Sequence, residues 1–129
     1  MNDDDKATFI SVLKRQAAAI QHVANRIDEE SLDRAVQQIH ACSGRCVFLG
    51  MGKMGAIGRK SAATFASLGC PAMFVQPSEA LHGDLGMITN HDLLLALSYS
   101  GETDEVLRVV ETVRPWGVPV LALTSGLEN

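Results

Sequence analysis

Along the opening stretch of the chain, apolar side chains return every three or four positions. Phe9, Val12, Leu13, Ala17, Ile20, Val23, Ala24 and Ile27 fall on one face of a helix over residues 5–27. Asp3, Asp4 and Asp5 stand at its start, where negative charge suits the helix dipole. Ser31 begins a second predicted helix, with Leu32, Ala35, Val36 and Ile39 at helical spacing, and Gly44 closes it.

Beyond Gly44 the period changes. Cys46–Leu49, Ala72–Val75, Leu93–Leu97 and Val118–Leu123 are short apolar runs without polar alternation. Such runs suit strands buried on both faces, as in a parallel sheet. Helical stretches at about 54–68 and 103–114 lie between them, and Ser78–Ile88 reads as a turn of helix mixed with loop. Strand and helix alternate, so the pattern predicts an α/β domain: a three-layer, doubly wound parallel sheet preceded by two leading helices. In open parallel sheets ligands sit beyond the carboxyl ends of the strands. The segments after Leu49, Val75, Leu97 and Leu123 are therefore where function is expected.

Composition narrows the classes. The 129 residues suffice for a single core without metals or disulfides, and 47% hydrophobic with 20% charged residues fits a globular domain. Net charge is −4 and the eleven Lys and Arg are scattered, so the clustered basic face of a nucleic-acid binder is missing. No apolar run approaches the roughly 20 residues that cross a bilayer, and the acidic start is unlike a secretory signal. A cytoplasmic protein without membrane or nucleic-acid partners is expected. Cys42, Cys46 and Cys70 form no CxxC pair and read as small, reduced, buried hydrophobes. His22, His40 and His91 read as surface residues, and four dispersed histidines make no zinc site. Neither metal nor cofactor is expected.

Three segments could carry chemistry. Gly50-Met51-Gly52-Lys53-Met54-Gly55 joins a strand to a helix, with glycines for close backbone approach and a helix start that favours an anion. It matches the dinucleotide GxGxxG spacing, but no acidic residue closes the next strand, where Gln76 stands instead. Lys53 is either a solvated turn residue or a cation facing a ligand. Ser98-Tyr99-Ser100-Gly101-Glu102-Thr103 also joins a strand to a helix. Ser98, Ser100 and Thr103 offer hydroxyls around a sharp turn at Gly101, a neutral cradle for phosphate. The alternative is a serine-rich turn with Thr103 as a helix cap. Glu79-Ala80-Leu81-His82-Gly83-Asp84 carries His82, either a general acid/base or a turn residue.

Together, Phe48-Leu49-Gly50-Met51-Gly52-Lys53, Glu79-Ala80-Leu81-His82-Gly83-Asp84-Leu85-Gly86 and Ser98-Tyr99-Ser100-Gly101-Glu102-Thr103 resemble the sugar isomerase (SIS) domain, and within it the bacterial D-arabinose 5-phosphate isomerases. The likeness runs from the leading helices to Thr124. It implies interconversion of D-ribulose 5-phosphate and D-arabinose 5-phosphate, a step toward lipopolysaccharide. It also implies a dimer or tetramer. By the resemblance, Lys53 and Glu105 are catalytic, and His82 lies at the substrate. Gly52, Gly69, Cys70, Ser98, Ser100, Gly101, Glu102 and Thr103 contact it. Aldose–ketose isomerisation through an enediol needs a base, a proton shuttle and positive charge near the oxyanion, which Glu105 or Glu102, His82 and Lys53 would supply. Without the resemblance, Glu102 and Glu105 read as acidic residues at a helix start.

The family pattern includes a fifth strand, further helices, and a further glutamate and histidine tied to catalysis. Residues 1–129 are therefore expected to be a SIS domain incomplete at its C-terminus, with four of the usual five strands. Gln76 replaces a histidine that can take an inhibitory metal in relatives. Three other readings compete: a sugar-phosphate-sensing module without catalysis, an assembly fragment held by the apolar face of residues 9–27, and a nicotinamide-binding domain.

Overall fold

Strands that are apolar on both faces need cover on both sides, and helices between them supply it. The computed structural model describes residues 2–126. It contains α1 (Asp3–Ala24), α2 (Glu29–Ala41), β1 (Cys46–Gly50), α3 (Gly52–Ser67), β2 (Ala72–Val75), α4 (Pro77–Ala80), β3 (Leu93–Leu97), α5 (Asp104–Val113) and β4 (Val120–Leu123). Short 3₁₀ turns follow α4 and α5, at Asp84–Met87 and Arg114–Trp116. Contacts divide the chain into two compact units, Met1–Arg34 and Ala35–Asn129.

The first unit is helical. Asn2 caps α1 through a reciprocal capping box: its side chain accepts the Asp5 amide and the Asp5 carboxylate accepts the Asn2 amide. The apolar stripe read from the sequence lies open, with Phe9 63% and Ile20 72% exposed. α2 begins at Glu29, earlier than the expected Ser31, because Asp28 is the cap: its carboxylate accepts the Ser31 amide at 2.9 Å.

In the second unit the four strands form one parallel sheet in the order β2-β1-β3-β4. Side chains alternate between its faces. Val47, Leu49, Leu94 and Ala96 pack with Val106, Val109 and Val113 of α5 on one face. Phe48, Leu93, Leu95 and Leu97 pack with Ala62 and Phe65 of α3 on the other, where Phe48 and Phe65 meet edge to face. These are the three predicted layers.

Other boundaries also differ from the sequence reading. β4 starts at Val120, not Val118, because Pro119 has no N–H to give a ladder; its carbonyl instead accepts the Leu94 amide at 3.0 Å. α2 ends at Ala41, so Gly44 is not the residue that closes it. Gly44 lies against β3's entry, where a Cβ would come within 2.6 Å of both Asp92 Oδ1 and the His91 carbonyl. Among the described residues, no helix is long and apolar enough to cross a membrane.

Candidate functional site

The order β2-β1-β3-β4 means the chain leaves β1 to one side for β2 and returns past it for β3 and β4. The reversal falls between β1 and β3, and this switch point is where a doubly wound sheet opens a ligand crevice. The two most distinctive sequence segments flank it. Gly50 pairs with Leu97 across the ladder, so Met51 and Ser98 leave neighbouring strands about 5 Å apart and side by side.

The first wall is built from mutual close approach. A Cβ on Gly55 would lie 2.8 Å from the Gly50 carbonyl oxygen, and one on Gly50 would lie 2.9 Å from the Met54 carbonyl carbon. Glycine at both positions lets α3 start directly on the end of β1. Gly52, at φ +54, makes the turn between them. Met51 occupies the cap position of α3 but its side chain makes no cap hydrogen bond to the first-turn amides. Lys53 sits exposed in that first turn. Gln76, at the end of β2, braces the wall: its Nε2 donates to Met51 Sδ at 3.4 Å, and its Oε1 accepts from Arg59 at 3.3 Å. Arg59 in turn lies over the Phe74 ring, 4.2 Å from its centroid.

The second wall is the hydroxyl turn. Ser98 is buried, and its Oγ accepts the Gly101 amide at 3.1 Å and shares a proton with Thr103 Oγ1 at 2.9 Å. Ser100 Oγ accepts the Glu102 amide at 3.1 Å. Gly101 takes φ +77, which a side chain would strain. Thr103 stands at the cap position of α5, as the sequence allowed, yet its hydroxyl makes no cap hydrogen bond because it is turned to Ser98. The first turn of α5 therefore keeps its amides for another acceptor. Asp104 would oppose an anion there, but its carboxylate is bound by Arg108 at 2.9 Å. The proton count favours donation outward: with Ser98 buried and already accepting from Gly101, its own O–H is best spent on Thr103, which frees the Thr103 O–H for a ligand. The hydroxyls thus serve both readings, shaping a turn that presents donors.

Glu105 is half-buried in the first turn of α5, and Glu102 is exposed on the turn. His82 is exposed after α4, with its amide bonded to the Glu79 carbonyl. α4 closes the same end of the sheet, its Ala80 packing in one core cluster with Val75 and Val106. Lys53, His82, Glu105 and the Ser98–Thr103 turn thus all lie at the carboxyl end of the sheet. Gly69 and Cys70 do not join them: they precede β2, whose Ala72 pairs with Cys46 at the opposite end.

The segment after Leu123 was expected to matter for its place at a strand end, but its tie to the hydroxyl turn went unread in the sequence. The Tyr99 carbonyl accepts the Ser125 amide at 3.0 Å and the Ser125 hydroxyl at 2.6 Å, tying the turn after β4 to the hydroxyl turn. Thr124-Ser125-Gly126 has the same hydroxyl-and-glycine composition as Ser98–Thr103, and that was the available signal. A cavity of about 200 Å³ runs from Ser98 and Gly101 between α5 and β4, floored by Val106 and Val120.

The SIS domain family model matches residues 39–129. Arabinose 5-phosphate isomerase KpsF of Escherichia coli is 45% identical over 113 residues, 88% of this chain and 35% of its own length. Arabinose 5-phosphate isomerase KdsD of Yersinia pestis is 48% identical over 100 residues, 78% of this chain and 30% of its own. The chain thus spans about a third of the length of these curated relatives. Among solved structures, E. coli CFT073 c3406 in complex with arabinose 5-phosphate superposes with a TM-score of 0.92 at 35% identity, covering 100% of this chain and 69% of that one. The Vibrio vulnificus NanR protein complexed with ManNAc-6P superposes with a TM-score of 0.79 at 26% identity, covering 93% and 46%. By its own sequence, its sheet order and the family model that covers most of it, the chain belongs to the SIS domain family.

Proposed function

We propose that this chain holds the phosphate of a sugar phosphate in the Ser98–Thr103 turn, and that it is the leading part of a D-arabinose 5-phosphate isomerase. The observation that carries the reading is the hydroxyl turn at the switch point, with an uncapped helix start behind it. The identity to KpsF and KdsD, and the likeness to a structure in complex with arabinose 5-phosphate, support the choice of sugar.

Isomerisation would run through an enediol. Glu105 removes the proton from the carbon beside the carbonyl and returns it to the neighbouring carbon. His82 moves a proton between the two oxygens or opens the sugar ring, and Lys53 stabilises the enediolate. Gly52, Ser100, Gly101 and Glu102 line the phosphate, while Gly69 and Cys70 would reach substrate only from another copy of the chain. That requirement fits a homo-oligomer, as does the open apolar stripe of α1.

A second reading is favoured by one observation, the likeness to NanR complexed with ManNAc-6P: a module that binds a sugar phosphate without turning it over. Titration with D-arabinose 5-phosphate, followed by amide chemical shifts, tests the shared claim. The amides of residues 98–105 should move, and unmoved amides there would refute both readings. Assaying arabinose 5-phosphate formed from D-ribulose 5-phosphate, with this chain and with a version extended to the length of its relatives, then separates them. Glu105→Ala should cut turnover by about a hundredfold or more, the scale of a lost general base, whereas a sensor has no turnover to lose.

A further inference from the structure

We propose that Cys46 and Cys70 form an oxidant-sensitive thiol pair that closes to a disulfide at the base of the sheet, at the opposite end of the same chain from the Ser98–Thr103 turn. Their Sγ atoms lie 3.8 Å apart, in van der Waals contact. The backbone holds them there from both sides. Cys46 opens β1 and donates its amide to the Pro71 carbonyl at 2.9 Å, directly beside Cys70. Cys70 donates its own amide to the Phe65 carbonyl at 3.0 Å, which anchors it on the end of α3. A disulfide needs a sulfur separation of about 2.05 Å, so the two atoms must approach by roughly 1.8 Å.

The two thiols are unequal in access. Cys46 is 0% exposed, and burial first, then the adjacent Cys70 sulfur, push its pKa up to about 12. It remains a neutral thiol and is closed to reagents. Cys70 is half-buried between the exposed Gly69 and Pro71, so an oxidant meets it first. With a hydroperoxide the steps balance. The Cys70 sulfur attacks the peroxide, giving a sulfenic acid and water, and takes up the two electrons' worth of oxidation. The Cys46 sulfur then displaces hydroxide from the sulfenic acid; its proton leaves with that hydroxide as a second water, and the S–S bond forms. Cys42 also borders Cys46, but its thiol is turned to the His91 carbonyl at 3.6 Å and does not face Cys70.

The test uses the whole chain, treated with hydrogen peroxide under native conditions. Free thiols should fall from three to one, the mass should drop by two hydrogens, and a Cys46–Cys70 linked peptide should appear and vanish with dithiothreitol. Cys42→Ser should close the same bridge, while Cys70→Ser should keep both remaining thiols. Cys46→Ala should leave Cys70 as a sulfenic acid that dimedone traps. Three persisting thiols, a bridge involving Cys42, or irreversible oxidation of Cys70 without a bridge would each overturn the proposal. The wild-type measurement stands even if a cysteine variant fails to fold.

Discussion

Removing the Asp92 carboxylate should destabilise the fold by about 3 kcal/mol at neutral pH, the sum of about 1 kcal/mol for each of the two backbone amides and the one guanidinium it holds. Asp92 ends the turn before β3, and its side chain is 2% exposed. Oδ1 accepts the Arg45 amide at 2.7 Å and Arg45 Nε at 3.4 Å. Oδ2 accepts the Thr89 amide at 2.8 Å, the Thr89 hydroxyl at 3.2 Å and Arg45 Nη2 at 3.3 Å. Asp92→Ala strips an acceptor from two backbone amides, one guanidinium and the Thr89 hydroxyl, the last of which is exposed and turns to water instead. Hydrogen bonds to a charged group contribute about 1.5–3 kcal/mol each, but Thr89 is exposed and water reaches the half-exposed Arg45, so about 1 kcal/mol per donor is the realistic loss. Asp92→Asn keeps one acceptor and should cost about half as much. Burial pushes the Asp92 carboxyl up, the largest single effect, yet the amides of Thr89 and Arg45 and the Arg45 guanidinium together hold it below the usual carboxylate range. A carboxyl with a lowered folded-state pKa stabilises the fold fully above its unfolded value, and that part is lost as pH falls through the folded value. Urea unfolding of wild type and Asp92→Ala should therefore show a gap that is full at pH 7 and narrows only below about pH 4. A gap under about 1 kcal/mol at pH 7, or one that narrows between about pH 7 and pH 5, would refute this account of the network.

Other consequences are as direct. Thr103→Val should weaken D-arabinose 5-phosphate binding about tenfold, the loss of one donor to a charged group, while Thr103→Ser should retain it. Ser98→Ala should weaken it at least as much, because the turn loses the acceptor for Gly101 as well as its tie to Thr103; calorimetry reads all three. Gly55→Ala drives a Cβ to 2.8 Å from a backbone oxygen, so it should cost about 1–3 kcal/mol in thermal unfolding and misplace the Lys53 turn. Ile20→Asp, on the open stripe of α1, should lower the oligomeric mass seen by light scattering, and an unchanged mass would argue against that stripe as the interface.

Elements whose cause is local were legible in the sequence. The apolar runs that became β1, β2 and β3 carry their own evidence of two-sided burial, and the helices between them carry their own period. The two turns at the switch point were legible too, since glycines and hydroxyls at strand ends announce close approach and hydrogen bonding without reference to distant residues. Boundaries were read less well, and each miss has a local competitor. Asp28 outranked Ser31 as a cap, and Pro119 shortened β4.

Roles that depend on distant partners were not legible. Gly44 looked like a helix stop, but what requires it is the crowding of Asp92 and His91, far along the chain. Nothing in the sequence joins Arg45 to Asp92, which meet because parallel pairing sets the start of β1 beside the start of β3. Cys46 and Cys70 likewise became neighbours only through the β1–β2 register. These three belong together. A parallel sheet aligns all its strand starts at one end and all its strand ends at the other. Its amino end here is closed by an ion pair, a glycine contact and two touching thiols. The carboxyl end is held by glycine contacts and self-bonded hydroxyls that still leave helix amides and Thr103 with donors to offer. Within one copy of the chain, the sheet's polarity therefore separates the Asp92 network, which fixes the fold, from the Thr103 turn, which can meet a ligand. It follows that substitutions at Asp92 should change stability without changing sugar-phosphate affinity in the folded protein, while substitutions at Thr103 should do the reverse.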